Sequence, residues 1–433
     1  MTGSHQTEAA RGCTEYAELS RRGFLAASGL AAAAVAAPAW LPRIAFAKDY
    51  RSSMRDVIIS IYLRGASDGL TMCVPYGDNA YYSLRPTLAI ARPDSSATDK
   101  ATDLDGFFGL PPAMLPLLPA YQAQRLAIVH ACGSTDASRS HFDAQRFMEV
   151  GKADDPTLLT GWLGRHIANI PPLNPSAVLR GVGLSTGLAR TLVGAPDTLP
   201  IANLSGFNLA GAQTSRTARR MVIDNMYNGT LDPLKAAGLT TLQTIDTLAN
   251  ISFSTYQPSG GANYGTSAFG SSMKSVAALL KAQVGVEAVA IDVNGWDTHT
   301  NQGNISGTMA ALMASIAQVL AAFDTDLTSG PTQPSYIAVV MSEFGRRAAE
   351  NGSAGTDHGH GNCMLVLGSA VQGGRVVSQW PGLAPGQLYE GLDLDVTIDY
   401  RDVLAEICAQ RLGAPDLSVI FPDYAPTFRN IVA

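Results

Sequence analysis

The chain has 433 residues, 46% hydrophobic and only 15% charged, with 42 Gly and 24 Pro, which describes a loop-rich globular protein of one large domain or two. A formal net charge of −6 without basic runs argues against nucleic acid and against an anionic membrane surface as partners. Beyond the amino terminus, no segment is expected to be long and apolar enough to span a bilayer.

Ser20-Arg21-Arg22-Gly23-Phe24-Leu25 stands directly before an Ala-rich apolar run from Ala26 to Leu41, and Ala45-Phe46-Ala47 puts small residues where a signal peptidase reads. This pattern predicts a twin-arginine signal peptide over residues 1–47, and hence a periplasmic or secreted protein whose partner during export is the twin-arginine translocase. A short buried helix is the alternative, and Pro38 and Pro42 count against it. Because that route moves proteins already folded, a metal or cofactor loaded inside the cell becomes an expectation. Cys13 leaves with the signal. Cys73, Cys132, Cys363 and Cys408 contain no C-x-x-C pair and read as buried small apolar residues, although an oxidising compartment would allow one disulfide.

Residues 48–433 read as one α/β domain. Asp56 to Leu63 is the first core strand, nearly continuous in β-branched and aliphatic residues, and it empties into Arg64-Gly65-Ala66-Ser67-Asp68-Gly69-Leu70. Asp68 is thus a metal ligand at the carboxyl edge of a sheet or, on local grounds, a turn residue. Pro111 to Gln124 has helical spacing, and Leu126 to His130 is the next strand. A helix is predicted to start near Ser140, where Ser140 and Asp143 resemble a capping box. The positive end of its dipole favours an anion and an activated alkoxide, so Ser140 stands equally as a nucleophile and as a plain cap.

Gly161 to Ile170 is a short helix whose His166 reads as a core residue, and Ala177 to Leu184 reads as a strand. Ala218 to Leu248 is mostly helical, interrupted at Asn228-Gly229 and Pro233, and Ile251 to Ser272 reads as a mobile loop or insertion. After a helix from Met273 to Gln283, the strand Val286 to Val293 opens into Asn294-Gly295-Trp296-Asp297-Thr298-His299. Asp297 and His299, two apart in extended chain, point the same way, as two ligands of one ion require; capping of the next helix by Asp297 is the alternative. Ser306 to Thr328 is a long amphipathic helix. Ile337 to Met341 is a buried strand that delivers Ser342-Glu343-Phe344-Gly345-Arg346 and then Gly355-Thr356-Asp357-His358-Gly359-His360-Gly361 to its carboxyl end. With only 7 His in the chain, two of them beside an aspartate and among glycines predict a site rather than a solvated turn. Met364 to Leu367 is a further strand, and Asp399 caps a final helix reaching Leu412. Strands alternating with helices imply a mostly parallel sheet covered on both faces.

Arg-Gly-x-x-Asp-Gly-Leu, Arg-Ser-His-Phe, Gly-Trp-Asp-Thr-His, Ser-Glu-Phe-Gly-Arg and Gly-Thr-Asp-His-Gly-x-Gly, in this order behind a twin-arginine signal, resemble the domain-of-unknown-function family fifteen-hundred-and-one across essentially the whole mature chain. That family is similar to the alkaline phosphatase and sulfatase superfamily. The resemblance implies an alkaline phosphatase-like fold, a two-metal site, and a Ser, Thr or modified-Cys nucleophile at a helix start. Carried over by motif, it implies Asp68, Asp297, His299, Glu343 and His358 or His360 as metal ligands, to which the residues alone add Asp357, the aspartate beside the two histidines. Ser140 or Thr135 would be the nucleophile, Arg139 would clamp the non-bridging oxygens, and His141 lies in the same catalytic turn. Phe344 departs from the pattern, since it stands where the superfamily has a metal-binding histidine. The cofactors implied are therefore one tightly held Zn, Mn or Fe at a mixed N/O site, with a second, all-oxygen position either empty or holding a weakly bound Mg or Ca. The function expected is a metal-dependent hydrolase of phosphate or sulfate esters, acting on a small-molecule or polymer substrate. The alternatives are a non-catalytic binding or assembly protein that kept the fold, which Phe344 favours, and a metal-bound oxidoreductase, which only the export route suggests.

Overall fold

The apolar run after Asp56 forms the middle of one large sheet. The computed structural model describes residues 55–433, so the predicted export signal and Cys13 lie outside the described residues. The strands are β1 (Val57–Arg64), β2 (Thr102–Asp103), β3 (Gly109–Leu110), β4 (Leu126–Gly133), β5 (Gly181–Gly183), β6 (Thr198–Pro200), β7 (Ala288–Asn294), β8 (Tyr336–Met341), β9 (Asn362–Gly368), β10 (Arg375–Val377) and β11 (Ile398–Asp399). β2 and β3 pair with each other, and the rest form a nine-stranded sheet in the order β10-β4-β9-β8-β1-β7-β5-β6, with β11 on β4. Every pairing in it is parallel except those of β9, which runs against both β4 and β8. The fold is thus α/β with a mostly parallel, mixed sheet, as the alternation of elements implied.

Period-two alternation explains why the central strands read as unbroken apolar runs. In β8, Tyr336, Ala338 and Val340 enter one core while Ile337, Val339 and Met341 enter the other. The first core is covered by the helices Ala268–Lys281 and Thr308–Leu327, the second by Trp162–Ala168 and Tyr400–Gln410. His166 lies in this second layer, where burial pushes its ring down to about 3, consistent with a core role. Asp399 caps the Tyr400–Gln410 helix by accepting from Arg401 N, and a short helix, Leu417–Ile420, follows it. The four cysteines within the described residues are buried and free.

Two local features differ from what the sequence implied. The Thr308–Leu327 helix has a mean hydropathy of 1.4 and is long and apolar enough to cross a membrane, which corrects the expectation of none; 56% of its apolar stretch is buried in the fold, where Met313, Ile316, Leu320 and Phe323 pack on the sheet. Ser140 is the N-cap of the His141–Val150 helix, but its side chain makes no capping hydrogen bond, so no capping box forms.

Of the segment read as a mobile loop over 251–272, residues 268–272 are the first turn of the Ala268–Lys281 helix, and the rest folds as short turns onto the Thr308–Leu327 helix through one buried carboxylate. Asp326 accepts from the hydroxyls of Tyr256 and Tyr264, from Ser259 N at 2.8 Å and from Lys281 Nζ at 2.6 Å. Removing one partner of a buried ion pair leaves the others unpaired, so Asp326→Ala should lower unfolding free energy by about 3 kcal/mol or more. An unchanged denaturant midpoint would show that Asp326 does not hold this segment.

Candidate metal centre

The central strands β4, β8, β1 and β7 end at one edge, and β9, being antiparallel, begins there, so five chain segments meet at that edge. Their approach is close. Gly65, at φ +116°, lies so near the next segment that a Cβ would come within 2.6 Å of Asp297 N, and a Cβ on Gly359 would meet the Arg346 carbonyl carbon at 2.3 Å. Only glycine fits at these two positions.

Asp297 is the convergence point. Its Oδ1 lies 3.0 Å from His299 Nε2 and 3.2 Å from His358 Nε2, and its Oδ2 lies 3.8 Å from His141 Nε2. The two histidine nitrogens of His299 and His358 are themselves 3.0 Å apart. Each ring is turned by an acceptor behind it. His141 Nδ1 is 2.7 Å from Glu343 Oε1, His299 Nδ1 is 3.2 Å from Asp357 Oδ1, and His358 Nδ1 is 3.1 Å from the Arg139 carbonyl. With those acceptors taking Nδ1–H, all three Nε2 atoms face the Asp297 carboxylate, the arrangement by which outer partners fix the tautomer of metal-binding histidines.

The donor set fits a cation. His141, Asp297 and His358 each offer a ligand atom, and these atoms lie within 4.8 Å of one another. Neighbouring ligands at the usual Zn–N and Zn–O lengths stand roughly 3.4 Å apart in a tetrahedron, so small side-chain shifts close the group around an ion.

Charge is distributed to match. Burial works against the Asp297 carboxylate, but His141, His299, His358 and the Arg346 guanidinium hold it far below the usual carboxylate range. Burial likewise opposes charging of His141, yet the Asp297 and Glu343 carboxylates prevail and raise its ring to about 9. Asp297 raises His299 as well, against the opposing effects of burial and Arg346. Phe344 supplies an apolar wall rather than a ligand. Its ring stacks on His141 at 5.1 Å and tilts against His358 at 5.1 Å, holding both imidazoles from one side.

Several residues singled out from the sequence stand elsewhere. Asp68 does not join the group: it is fully buried and bound by Arg85 through two bonds of 2.6 and 3.0 Å, by Thr71 at 2.7 Å and by Gln302 at 2.6 Å. Glu343 lies behind His141, and its Oε1 also accepts from Gly65 N at 2.9 Å and Gln145 Nε2 at 2.8 Å while Oε2 takes Ser342 Oγ at 2.9 Å. Both carboxylates are saturated, so the all-oxygen second metal site expected from Asp68 and Glu343 is not assembled. Asp357 orients His299 and accepts from Asn351 Nδ2 at 3.0 Å, a supporting rather than a ligating position. Of the two candidate histidines, His358 enters the group, whereas His360 is buried and stacked on Tyr389 at 4.2 Å.

The hydroxyls separate in the same way. Thr135 is exposed in the turn after β4, while Ser140 is half-buried between Arg139, whose carbonyl holds His358, and His141 itself. The Arg139 guanidinium is engaged by Asp393 and Glu390. Two contributors escaped the sequence reading. Arg346 closes the quoted Ser-Glu-Phe-Gly-Arg segment, so the signal was present, but its role needs the three-dimensional contacts. Gln302 had no local signal; it bonds to Asp68 and accepts from Thr298 Oγ1 at 3.0 Å and Thr356 Oγ1 at 2.6 Å, the neighbours of Asp297 and of Asp357–His358.

Comparison with known proteins adds one family and no activity. No curated protein matches the chain. Residues 159–416, more than half of the sequence, match the family described as "Protein of unknown function (DUF1501)", and they include Asp297, His299, Glu343 and His358 while leaving out the segment that carries Ser140 and His141. The chain is a member of this DUF1501 family.

Proposed function

We propose that the protein is an exported, metal-dependent hydrolase of phosphate or sulfate esters with a single tightly bound cation. The observation that carries this reading is the convergence of three Nε2 atoms on Asp297, each ring held from behind, beside the open N-terminus of the His141–Val150 helix. His141, Asp297 and His358 would hold the ion, with His299 at its margin. Mixed nitrogen and oxygen donors suit Zn, Mn or Fe. A cation bound there supplies Lewis-acid polarisation of an ester oxygen.

The remaining roles belong to the chain's own groups. Ser140, whose side chain makes no capping bond, is the proposed nucleophile, and the helix dipole favours both its alkoxide and an anionic ester. Glu343 keeps the proton on His141 Nδ1. His299, 36% exposed at the mouth, is placed to pass a proton to a leaving group. The choice of phosphate or sulfate esters draws on the similarity of family fifteen-hundred-and-one, which the five motifs resemble, to the alkaline phosphatase and sulfatase superfamily. The saturation of Asp68 by Arg85 favours one metal and is also the observation that best suits a non-catalytic binding protein.

One equivalent of transition metal should survive dialysis of the natively exported protein, Asp297→Asn should abolish its retention, and Glu343→Gln should weaken it by about 10- to 100-fold. Elemental analysis decides this. Two retained equivalents would overturn the single-site reading, and metal-free protein inert toward aryl phosphates, phosphodiesters and sulfates would leave the binding-protein reading.

Ser140→Ala should lower kcat by on the order of 10³-fold or more with metal content unchanged, whereas Thr135→Ala should behave as wild type. A Ser140→Ala enzyme of normal kcat would remove the serine from the chemistry.

Replacing Arg21 and Arg22 together by Lys should strand the precursor in the cytoplasm, because the paired guanidinium groups carry the export signal. A normal periplasmic yield from that variant would refute export by this route.

A further inference from the structure

We propose that the groove beyond the carboxyl ends of β5 and β6 binds an acidic sugar, a hydroxyl-bearing ring with a carboxylate, sulfate or phosphate group, and that Arg216 takes the charged group. The claim concerns binding at a place apart from the metal cluster and does not rest on the ester-hydrolase reading.

Two cavities adjoin there. One, of about 240 Å³, has Arg216, Asn208, Gln213 and Ser254 in its polar lining and Phe207 and Phe253 in its apolar lining. The other, of about 280 Å³, presents Asn203, Ser271, Ser272 and Ser275. Leu204 and Ser205, in the turn after β6, line both, and no acidic residue lines either. A largely apolar wall with a few polar groups, one of them charged, is the make-up of a small-molecule site. The hydroxyls and amides can donate to sugar hydroxyls and accept from them, and the second cavity leaves room for a ligand larger than one ring.

The positive charge at this groove is uncompensated. The Arg216–Asn228 helix is turned the wrong way round for a surface helix: Met221, Val222 and Met226 are 62%, 59% and 66% exposed, whereas Arg216, Arg219 and Arg220 are half-buried with Ile223 and Tyr227 on the opposite face. That face meets the protein, since Tyr227 packs over Gly238 of the Leu234–Ala249 helix. Among the described residues only Arg220 of the three is paired with carboxylates, Asp224 at 3.1 Å and Asp246 at 3.0 Å. Arg219 donates from Nη1 to Ala212 O at 2.9 Å and to Ser215 Oγ, gripping the loop on both sides of Gln213, while its Nε and Nη2 are buried without an acceptor. Arg216 makes no hydrogen bond or ion pair among the described residues. Two guanidinium groups one helical turn apart with no counter-charge repel each other, and an oxyanion that takes the terminal nitrogens of Arg216 offsets that repulsion.

The test is calorimetric. Glucuronate, glucose 6-phosphate and glucose 6-sulfate, with uncharged glucose as the control, are titrated into the natively exported protein, into Arg216→Gln and into Asn208→Ala, each checked for an unchanged melting curve. At least one acidic sugar should bind, and glucose should bind about tenfold more weakly or less. Arg216→Gln should lower the affinity for the acidic sugar about tenfold or more and bring it to the level of glucose, and Asn208→Ala should weaken both sugars by a similar factor of about three or more. Should Arg216→Gln fail to fold, the comparison of acidic sugar with glucose and the Asn208→Ala titration decide the matter. Stripping the protein of metal with EDTA should leave the affinity unchanged, because no residue of the cluster lines the groove. No binding of any acidic sugar at millimolar concentration, glucose bound as tightly as the acidic sugars, affinity unchanged in both variants, or binding lost with the metal would each overturn the proposal.

Discussion

One buried guanidinium ties the carboxyl edge of this sheet together. Arg346 is 1% exposed and donates to Ala66 O at 2.6 Å, Gly65 O at 2.5 Å, Trp296 O at 2.9 Å and Thr356 O at 2.8 Å, while also binding Asp297 Oδ1 at 2.7 Å. These acceptors belong to the loops after β1 and β7 and to the segment before β9. A buried charge is costly unless it is paired and its donors are satisfied, so these loops must close around Arg346 in one arrangement. The same arrangement places Asp297 opposite the three histidines. The placement of Asp297 among the three histidines is therefore coupled to the burial of Arg346.

A second network supports the first from below. Arg85 and Gln302 share the Asp68 carboxylate, and Gln302 accepts from Thr298 and Thr356 on either side of the cluster. Arg85 also donates to Ala348 O at 2.9 Å and Arg347 O at 2.9 Å, so the chain beyond Arg346 is fixed by the same network. Buried polar networks of this sort specify a unique geometry when every member is satisfied. Asp68 is one such member, which is why it cannot serve as a ligand at the same time.

The sequence made the strands legible, because β1, β4, β7 and β8 are apolar runs with glycine or polar residues at their carboxyl ends, and burial on both faces leaves few other ways to use them. It also made the cluster legible as a set of motifs: Asp297, His299 and His358 are where ligand-like spacing put them. What it could not show is which carboxylates are spent on neighbours. Asp68 and Glu343 look like Asp297 in one dimension, and only the positions of Arg85 and His141, 17 and 202 residues away in sequence, separate them. Phe344 read only as a departure from a ligand pattern; that its ring packs against His141 and His358 needed the three-dimensional contacts. The capping reading of Ser140 failed for a related reason, since a serine at a helix start is equally consistent with a bond to its own helix and with a side chain left for other use.

The charge pattern connects the ligand set to the class of substrate. Asp68 is neutralised by Arg85, Glu343 is paired with His141, and Asp297 shares an oxygen with Arg346. A divalent cation held at this site would therefore meet one carboxylate and neutral imidazoles. That leaves a net positive charge of about one on the ion and its ligands, while the Glu343 carboxylate behind a neutral His141 is offset by the buried Arg346 guanidinium beside Asp297. A site rich in carboxylates would cancel the charge of its metal and repel an anionic ester; a site whose other carboxylates are offset by arginines would preserve the attraction. The pairing of Asp68 with Arg85 thus leaves the field at this edge as the proposed anionic ester would need it.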